Sequence, residues 1–303
     1  MATTLSKTSS FVGEAAREYL LRTFAEASSL RDNILTVKEN VHKSWKIRRL
    51  AATGLIADKS CDFTAAGTVT INERSLTPAD LEVNLELCKD NFKNDWDGAN
   101  MGRGANNKSL TPELVDAVVN QVNGSIGEAL ETMIYQGDTS GTDQFDGFIK
   151  LALADATVVD VTAATGAFIA APLTKMAAIK EKAVAAKIAM KEDFVYIMSP
   201  TNAEALMAAY RSAGSGQENI SGDVPLRYNG APVHVSYGMP DANIIAARKS
   251  NLYFGTDLQS DWNEVIVKDM SEIDLSDNVR FKLVATGGVN YGWGEEFILY
   301  TES

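Results

Sequence analysis

TPELVDAVVNQVNGSIGEALETMIYQG, residues 111–137, is the stretch on which the reading of this chain turns. Val115, Val118, Val119, Val122, Ile126, Leu130, Met133 and Ile134 follow one another at steps of three, one, three, four, four, three and one. On a helix turning about 100° per residue, those steps make one apolar stripe. Thr111 is placed to cap the first turn, and Pro112 takes the first helical position, where its missing N–H costs nothing. Gly137 supplies the stop. At about 1.5 Å per residue the helix is a rod of roughly 38 Å. Gly124 and Gly127 weaken it by about 1 kcal/mol each relative to Ala. Glu128 and Glu131 share a face, and the spacing predicts a solvated face or an intersubunit salt bridge for them.

Upstream of the rod the period changes to two. GTVTINE (67–73) puts Val69 and Ile71 on one face, and after the Thr77–Pro78 break LEVNLEL (81–87) does the same with Leu81, Val83, Leu85 and Leu87. Alternation of this kind means strands. The region 51–87 reads as a long hairpin or loop with few large apolar groups, and a two-stranded ribbon in water is marginal unless something covers it. Residues 34–50 alternate loosely through Ile34, Val37, Val41, Trp45 and Ile47, which suits a strand or two. Earlier still, 14–27 predicts a helix with Ala16, Tyr19, Leu20, Thr23 and Phe24 on one face, behind a polar extended arm at Met1–Ser10. Residues 95–110 are a Gly/Asn-rich loop.

Downstream, 138–149 is turn-rich. Pro172–Met190 predicts a helix with Met176, Ile179 and Ile188 inward, and Phe194–Met198 is a continuous apolar run that fits a buried strand. Ser199–Pro200 opens another helix through Ala213, and 213–223 is a loop. Asn229–Gly230 is a hairpin signal. Strands follow at Asn243–Ala247, Leu252–Phe254, Val265–Val267, Val279–Ala285 and Phe297–Tyr300, which makes the class α+β.

Composition narrows the function. The chain has 303 residues, 45% hydrophobic and 22% charged, an ordinary globular balance. Its net charge is −12, which disfavours general binding to phosphate backbones. The charge is uneven: residues 1–50 carry 9 Lys/Arg against 5 Asp/Glu, so an anionic partner fits only there. The start, MATTLSKTSSF, has no apolar core of a secretory signal, and no run approaches a membrane helix, so no membrane partner is expected. Cys61 and Cys88 form no disulfide framework and no metal spacing.

Catalytic motifs are absent. There is no phosphate-binding loop, and Gly102-Arg-Gly104 lacks the third glycine of a dinucleotide fingerprint. His42 and His234 are the only histidines, which excludes HExxH-type zinc sites. Ser125 lies within the long helix, where no strained turn exposes a nucleophile. Asp95, Asp97, Asp143 and Asp146 sit in fragments of calcium loops that lack the terminal Glu, and they read as turn formers. No catalytic residue, cofactor or metal is assigned.

The order of these elements resembles the major capsid protein of tailed bacteriophages, the Hong Kong 97-type fold. LTPADLEVNLELCKDNFKNDW (76–96) is similar to the strand and return after that family's extended loop. EALETMIYQGDTSGTDQFDGFIK (128–150) resembles the end of its spine helix, with a Phe-Asp-Gly turn at the exit. NLYFGTDLQSDWNEVIVKD (251–269) resembles the strand pair returning from the axial domain. VRFKLVATGGVNYGWGEEFILY (279–300) looks like the closing strands, with Gly287-Gly288-Val289 as their turn.

The resemblance implies an amino-terminal arm with first strands over 1–43 and an extended loop over 44–80. It implies a peripheral domain over 81–140 and 251–290, and an axial domain over 141–250 and 291–303. Lys59, Val69, Ile71 and Arg74 of the loop would then meet a neighbouring subunit, while Val115, Val119, Val122, Ile126, Leu130 and Met133 line the core face of the spine helix. No motif pairs Lys59 with an asparagine, and no crosslink is assigned. The implied function is structural and not enzymatic: self-assembly into hexamers and pentamers of an icosahedral shell, made in the bacterial host cytoplasm. Packaged DNA would lie inside without sequence-specific binding. Because residue 1 is Met, a separate scaffolding protein is expected, with a portal as a further partner. An encapsulin-type bacterial nanocompartment shell is the alternative on the same fold. An α+β enzyme using carboxylates of the 138–147 loop is the alternative of another class. Two thiols per chain should titrate under denaturing, non-reducing conditions; ladders on a non-reducing gel that vanish with reductant would instead reveal stapled chains.

Overall fold

The structure, a computed structural model, describes residues 27–302 apart from 57, 60, 62–65, 89–111, 142, 162–165, 214–225, 259–260, 263–264 and 274, and gives only the backbone course over 112–123. The helix expected over 14–26, the Thr111 cap, the 95–110 loop and the 213–223 loop except Ala213 lie outside the described residues.

The long strand β12 (Asn278–Tyr291) organises one sheet. Val279, Phe281, Leu283 and Ala285 are buried between exposed Arg280, Lys282 and Val284. Antiparallel β4 (Ala79–Cys88) sets Leu81, Val83, Leu85 and Leu87 opposite Ala285, Leu283, Phe281 and Val279. Direct partners share a face, so the two period-two patterns form one apolar surface. β11 (Ile266–Asp269) pairs with β12 over Val279–Lys282, and β10 (Leu252–Gly255) pairs with its last four residues. β1 (Thr36–Lys38) extends the sheet in parallel to β10. Residues 36–38 are thus a strand in the sheet of β12, within the 34–50 stretch whose alternation suits a strand or two.

One expectation fails here. Gly287-Gly288-Val289 is not a turn, because β12 runs straight through it. A Cβ on Gly288 would lie 2.9 Å from Pro78 Cα and 3.0 Å from Thr77 O, so glycine lets the Thr77–Pro78 corner cross the strand.

A second sheet runs in the order β5 (Val159–Val161), β13 (Phe297–Thr301), β9 (Asn243–Arg248), β6 (Phe194–Met198), β8 (Ala231–Val235) and β7 (Arg227–Tyr228). Asn229–Gly230 reverses β7 into β8 as expected. Both faces are covered. Phe194, Tyr196, Met198, Ile244, Ala246, Ile298 and Tyr300 share a cluster with Met176, Ile179, Ala183, Ala203 and Leu206. Those last five come from two helices, Pro172–Ala185 and Pro200–Ser212, the second capped where Ser199 Oγ accepts from Asn202 N at 3.2 Å. Val195, Ile197, Ile245, Ala247, Phe297 and Leu299 face the opposite cluster. Burial on both sides is why these strands read as unbroken apolar runs.

The rod spans Pro112–Gln136. Its carboxy-terminal half joins the two sheets: Leu130 and Ile134 are fully buried among Leu81, Leu283, Ala285 and Tyr291 of one sheet and Val195, Ile245 and Phe297 of the other. Ile126 and Met133 pack half-buried at the margin of this cluster. Val115, Val119 and Val122 lie in the stretch described by backbone alone.

Glu131 departs from expectation. It is 3% exposed, not solvated, because the helix buries a second face against residues 28–29 and 236–238. In chain order the helices are α1 (Ser28–Arg31), α2 (the rod), α3 (Phe148–Leu153), α4 (Pro172–Ala185) and α5 (Pro200–Ser212).

Gly288→Ala should lower stability by roughly 1–3 kcal/mol through overpacking against the Thr77–Pro78 backbone. A urea midpoint equal to that of the parent would show that the strand has room there.

Candidate assembly surface

Strands β2 (Trp45–Thr53) and β3 (Thr68–Leu76) form a ribbon of nine antiparallel pairs that, among the described residues, joins no third strand. Nine residues at about 3.3 Å make an arm of roughly 30 Å.

Its root is held by large side chains. Ile47 and Leu76 are buried, and Trp45 meets Tyr253 edge-on at 5.5 Å with Lys38 Nζ 5.4 Å from its ring centroid. Arg74 bridges Asp155 and lies 4.2 Å from the Tyr291 ring centroid. Tyr291 donates to Asp155 Oδ2 at 2.9 Å, and Thr157 donates to Asp155 Oδ1 through N at 2.9 Å and Oγ1 at 2.7 Å. Burial alone would push the Asp155 carboxyl up, but the hydrogen bonds from Arg74, Thr157 and Tyr291 outweigh it and hold the group well below the usual carboxylate range. Asn290 Nδ2 donates to Ser75 O at 2.7 Å, and the Arg49 guanidinium lies over Trp293.

The far half of the ribbon has no such cover. Leu50 stands opposite Ile71 and Ala52 opposite Val69, so all four project from one face. Leu50, Val69 and Ile71 are 63%, 56% and 64% exposed, and Leu55 and Ile56 at the tip are exposed as well. Nearer the root, the same face carries Lys46 and Arg48 around Glu73, at 2.7 and 3.3 Å. The surface is therefore an apolar strip with a charged step at its inner end.

Of the loop residues singled out by sequence, Val69 and Ile71 lie together on this strip, and Lys59 is exposed between the strands. Arg74 is different. The resemblance implies an outward contact for it, but its guanidinium binds Asp155 of its own chain, because the register places it opposite buried Ile47 at the root. Trp45 reads in the sequence only as a strand residue, and the roles of Asp155 and Tyr291 at the root are set by the fold. Only the aromatic character of Trp45 and Tyr291 hinted at anchors; Asp155 carried no signal.

The carboxylates of the 138–147 loop are engaged by their own turn. Asp143 accepts from Asp138 N at 2.9 Å, and Asp146 accepts from Thr139 N at 2.8 Å. Lys150 bridges Asp138 at 2.5 Å and Asp146 at 2.7 Å. Cys61 is exposed, Cys88 is half-buried, and both are free thiols. Among the described residues no helix is long and apolar enough to cross a membrane.

A spine helix between two sheets, with a projecting ribbon before it, is the Hong Kong 97-type fold, as the order of elements implied. Solved structures share it along nearly the whole chain. The capsid of a native GTA particle superposes with a TM-score of 0.62 at 15% identity, covering 100% of this chain and 95% of that one. A structure of Mycobacterium phage Bobi gives 0.58 at 13% identity, with 100% and 94% covered. A virus-like particle from Pyrococcus furiosus gives 0.56 at 12% identity, with 94% and 97% covered. No protein-family model matches the chain, and no curated protein is similar to it.

Arg74→Met should cost roughly 2 kcal/mol, since it leaves a mostly buried carboxylate without its charged partner. Because the Asp155 carboxyl is lowered in the folded chain, its contribution is complete above the ordinary value of 3.8 and fades as pH falls below that. Denaturant titrations of parent and variant from pH 7 to 2.5 should therefore converge in acid. A gap that stays constant to pH 2.5 would assign the loss to packing on Tyr291.

Proposed function

We propose that this chain is the major capsid protein of a tailed bacteriophage, a structural subunit that self-assembles into the icosahedral shell around the genome. The observation that carries the reading is the apolar strip of Leu50, Val69 and Ile71, on the outer half of an arm about 30 Å long that, among the described residues, joins no third strand. A monomer gains nothing by holding large apolar groups in water on a rooted ribbon; a subunit laid against a neighbour buries them. Each of the three would contribute on the order of 1 kcal/mol when covered. Many such contacts summed over a shell replace any single strong one.

The rest of the chain supports the same reading. The two particle capsids that share the fold do so over almost the full length of both chains. In this reading the sheet of β12 with α2 is the peripheral domain, and the sheet of β6 with α4 and α5 is the axial domain. Hexamers and pentamers of the subunit would form the shell, with a scaffolding protein and a portal as partners. The net charge of −12 suits a wall that must not bind packaged DNA, and the surplus of basic residues in 1–50 marks where scaffold or DNA would touch. The role is that of a wall and not of an enzyme.

An encapsulin-type compartment is the second reading, favoured by the likeness to the Pyrococcus furiosus virus-like particle. The two differ in what the particle holds: nuclease-protected DNA for a virion, a protein cargo for a compartment.

Ile71→Asp should leave circular dichroism and the unfolding midpoint within about 0.5 kcal/mol of the parent, as expected of an exposed site, and should abolish closed particles in sedimentation and electron microscopy. Replacing 51–70 by a short Gly/Ser linker, which keeps Ile47, Arg74 and Leu76, should do the same. Closed shells from the linker variant would sink the proposal. Global unfolding would place the ribbon in the subunit's own core.

A further inference from the structure

A second group of polar residues is buried far from the ribbon. Glu131 on α2 accepts from Ser28 Oγ at 2.9 Å, Ser29 Oγ at 2.6 Å, Ser29 N at 3.3 Å and Ser236 Oγ at 2.5 Å. Tyr135, one helical turn on, lies 2.5 Å from Ser29 Oγ, and burial pushes its hydroxyl up, so it remains a donor. His234 of β8 sets Nε2 at 3.3 Å from Ser29 Oγ and 3.5 Å from Ser28 Oγ, with Nδ1 at 3.6 Å from Asp32.

Proton bookkeeping fixes the roles. The single hydroxyl protons of Ser28, Ser29 and Ser236 all go to the carboxylate. Ser29 Oγ is then an acceptor for Tyr135 and for His234, which must carry its proton on Nε2 when neutral. Ser29, His234 and Asp32 therefore lie in the order of a hydrolytic triad without its chemistry: Ser29 is 0% exposed and gives its proton to Glu131, so no substrate reaches it.

The cluster does something else. It ties three segments distant in sequence: residues 28–32 where the amino-terminal 26 residues join the fold, the spine helix, and the second sheet. Gly238 brings the chain after β8 against the helix, since a Cβ there would collide with Glu131 O, and Gln136 Nε2 donates to Gly238 O at 2.7 Å. A buried acceptor left without its donors is costly, so the contacts to Glu131 hold the three segments together.

We propose that Glu131, Ser28, Ser29, Ser236 and His234 form a proton-operated latch that fastens the root of the amino-terminal segment, residues 27–35, to the spine helix and lets it go in acid. The charged groups facing His234 are Glu131 and Asp32, which favour its protonation, and Lys249 and Arg31, which oppose it. Burial outweighs the acids and pushes the ring below its ordinary value of 6.5. As pH falls below 6.5, a released and solvated ring takes up a proton that the latched ring refuses, so opening rises by up to tenfold per pH unit until the latched ring also protonates. The latch belongs to a single chain and stands whether or not the shell reading holds.

Hydrogen exchange with mass spectrometry on the full chain, corrected for intrinsic rates, tests this between pH 7.5 and 5. The peptide 27–35 should lose protection as pH falls, while the buried strand 194–198 keeps its own. His234→Gln retains a donor near Nε2 but does not titrate, and its 27–35 protection should be flat with pH. Glu131→Gln should raise opening at least tenfold at pH 7.5, as loss of a charged acceptor implies. Wild-type protection that is flat or increases in acid overturns the latch. So does a His234→Gln chain that follows the wild type, or loss of protection at 194–198 together with 27–35. Should Glu131→Gln not fold, the wild-type and His234→Gln profiles decide alone.

Discussion

Strand β12 is the constraint from which the rest of the structure hangs. Its fourteen residues pair with β4, β11 and β10, and its last residue, Tyr291, lies at the junction of every other part. The Tyr291 ring stacks 4.7 Å from Phe297 at the start of β13, its hydroxyl reaches Leu151 O and Asp155, and Arg74 covers its face. One strand thus sets where the second sheet begins, where α3 ends and at what angle the ribbon leaves. Gly288 within it permits the crossing of Thr77–Pro78, where the ribbon's return ends and β4 begins.

The molecule divides its energetics accordingly. Its two larger apolar clusters lie within the chain, with the spine helix between the sheets and α4 and α5 on the outer face of the second, and a small third one joins Val267, Val279 and Phe281. The ribbon receives its stability at one end only, from Trp45, Ile47, Arg74 and Leu76, and keeps its apolar residues at the other. A rigid root with an uncovered far half fits a part whose burial is completed by something outside the chain. The second polar cluster, around Glu131, follows the opposite logic, with a carboxyl group taken inside and met by three hydroxyls and the Ser29 amide.

Much of this was written in periodicity. The steps of three and four over 115–134 specify the rod, the alternation of 81–87 and 279–285 specifies two strands with one apolar face each, and the unbroken run 194–198 specifies a strand covered on both sides. Ser199–Pro200 and Asn229–Gly230 mark their cap and turn through local chemistry. Val69 and Ile71 were legible as strand residues of one face, since period two is a property of the chain alone. The capsid-like order of elements was legible for the same reason.

What tertiary structure decided was partnership. Alternation does not say which strand lies alongside, so β4 could read as the ribbon's third segment and is instead the neighbour of β12. Gly287–Gly288 has the composition of a turn, and only the crossing of Thr77–Pro78 makes it a strand. Arg74 looks like any exposed strand cation until its register sets it over Tyr291. Glu131 looks like a surface acid, because a helix shows in sequence the face it buries in apolar residues and not a second face buried against hydroxyls. Residues 102 and 105 positions away complete that site, and no local pattern carries such a distance.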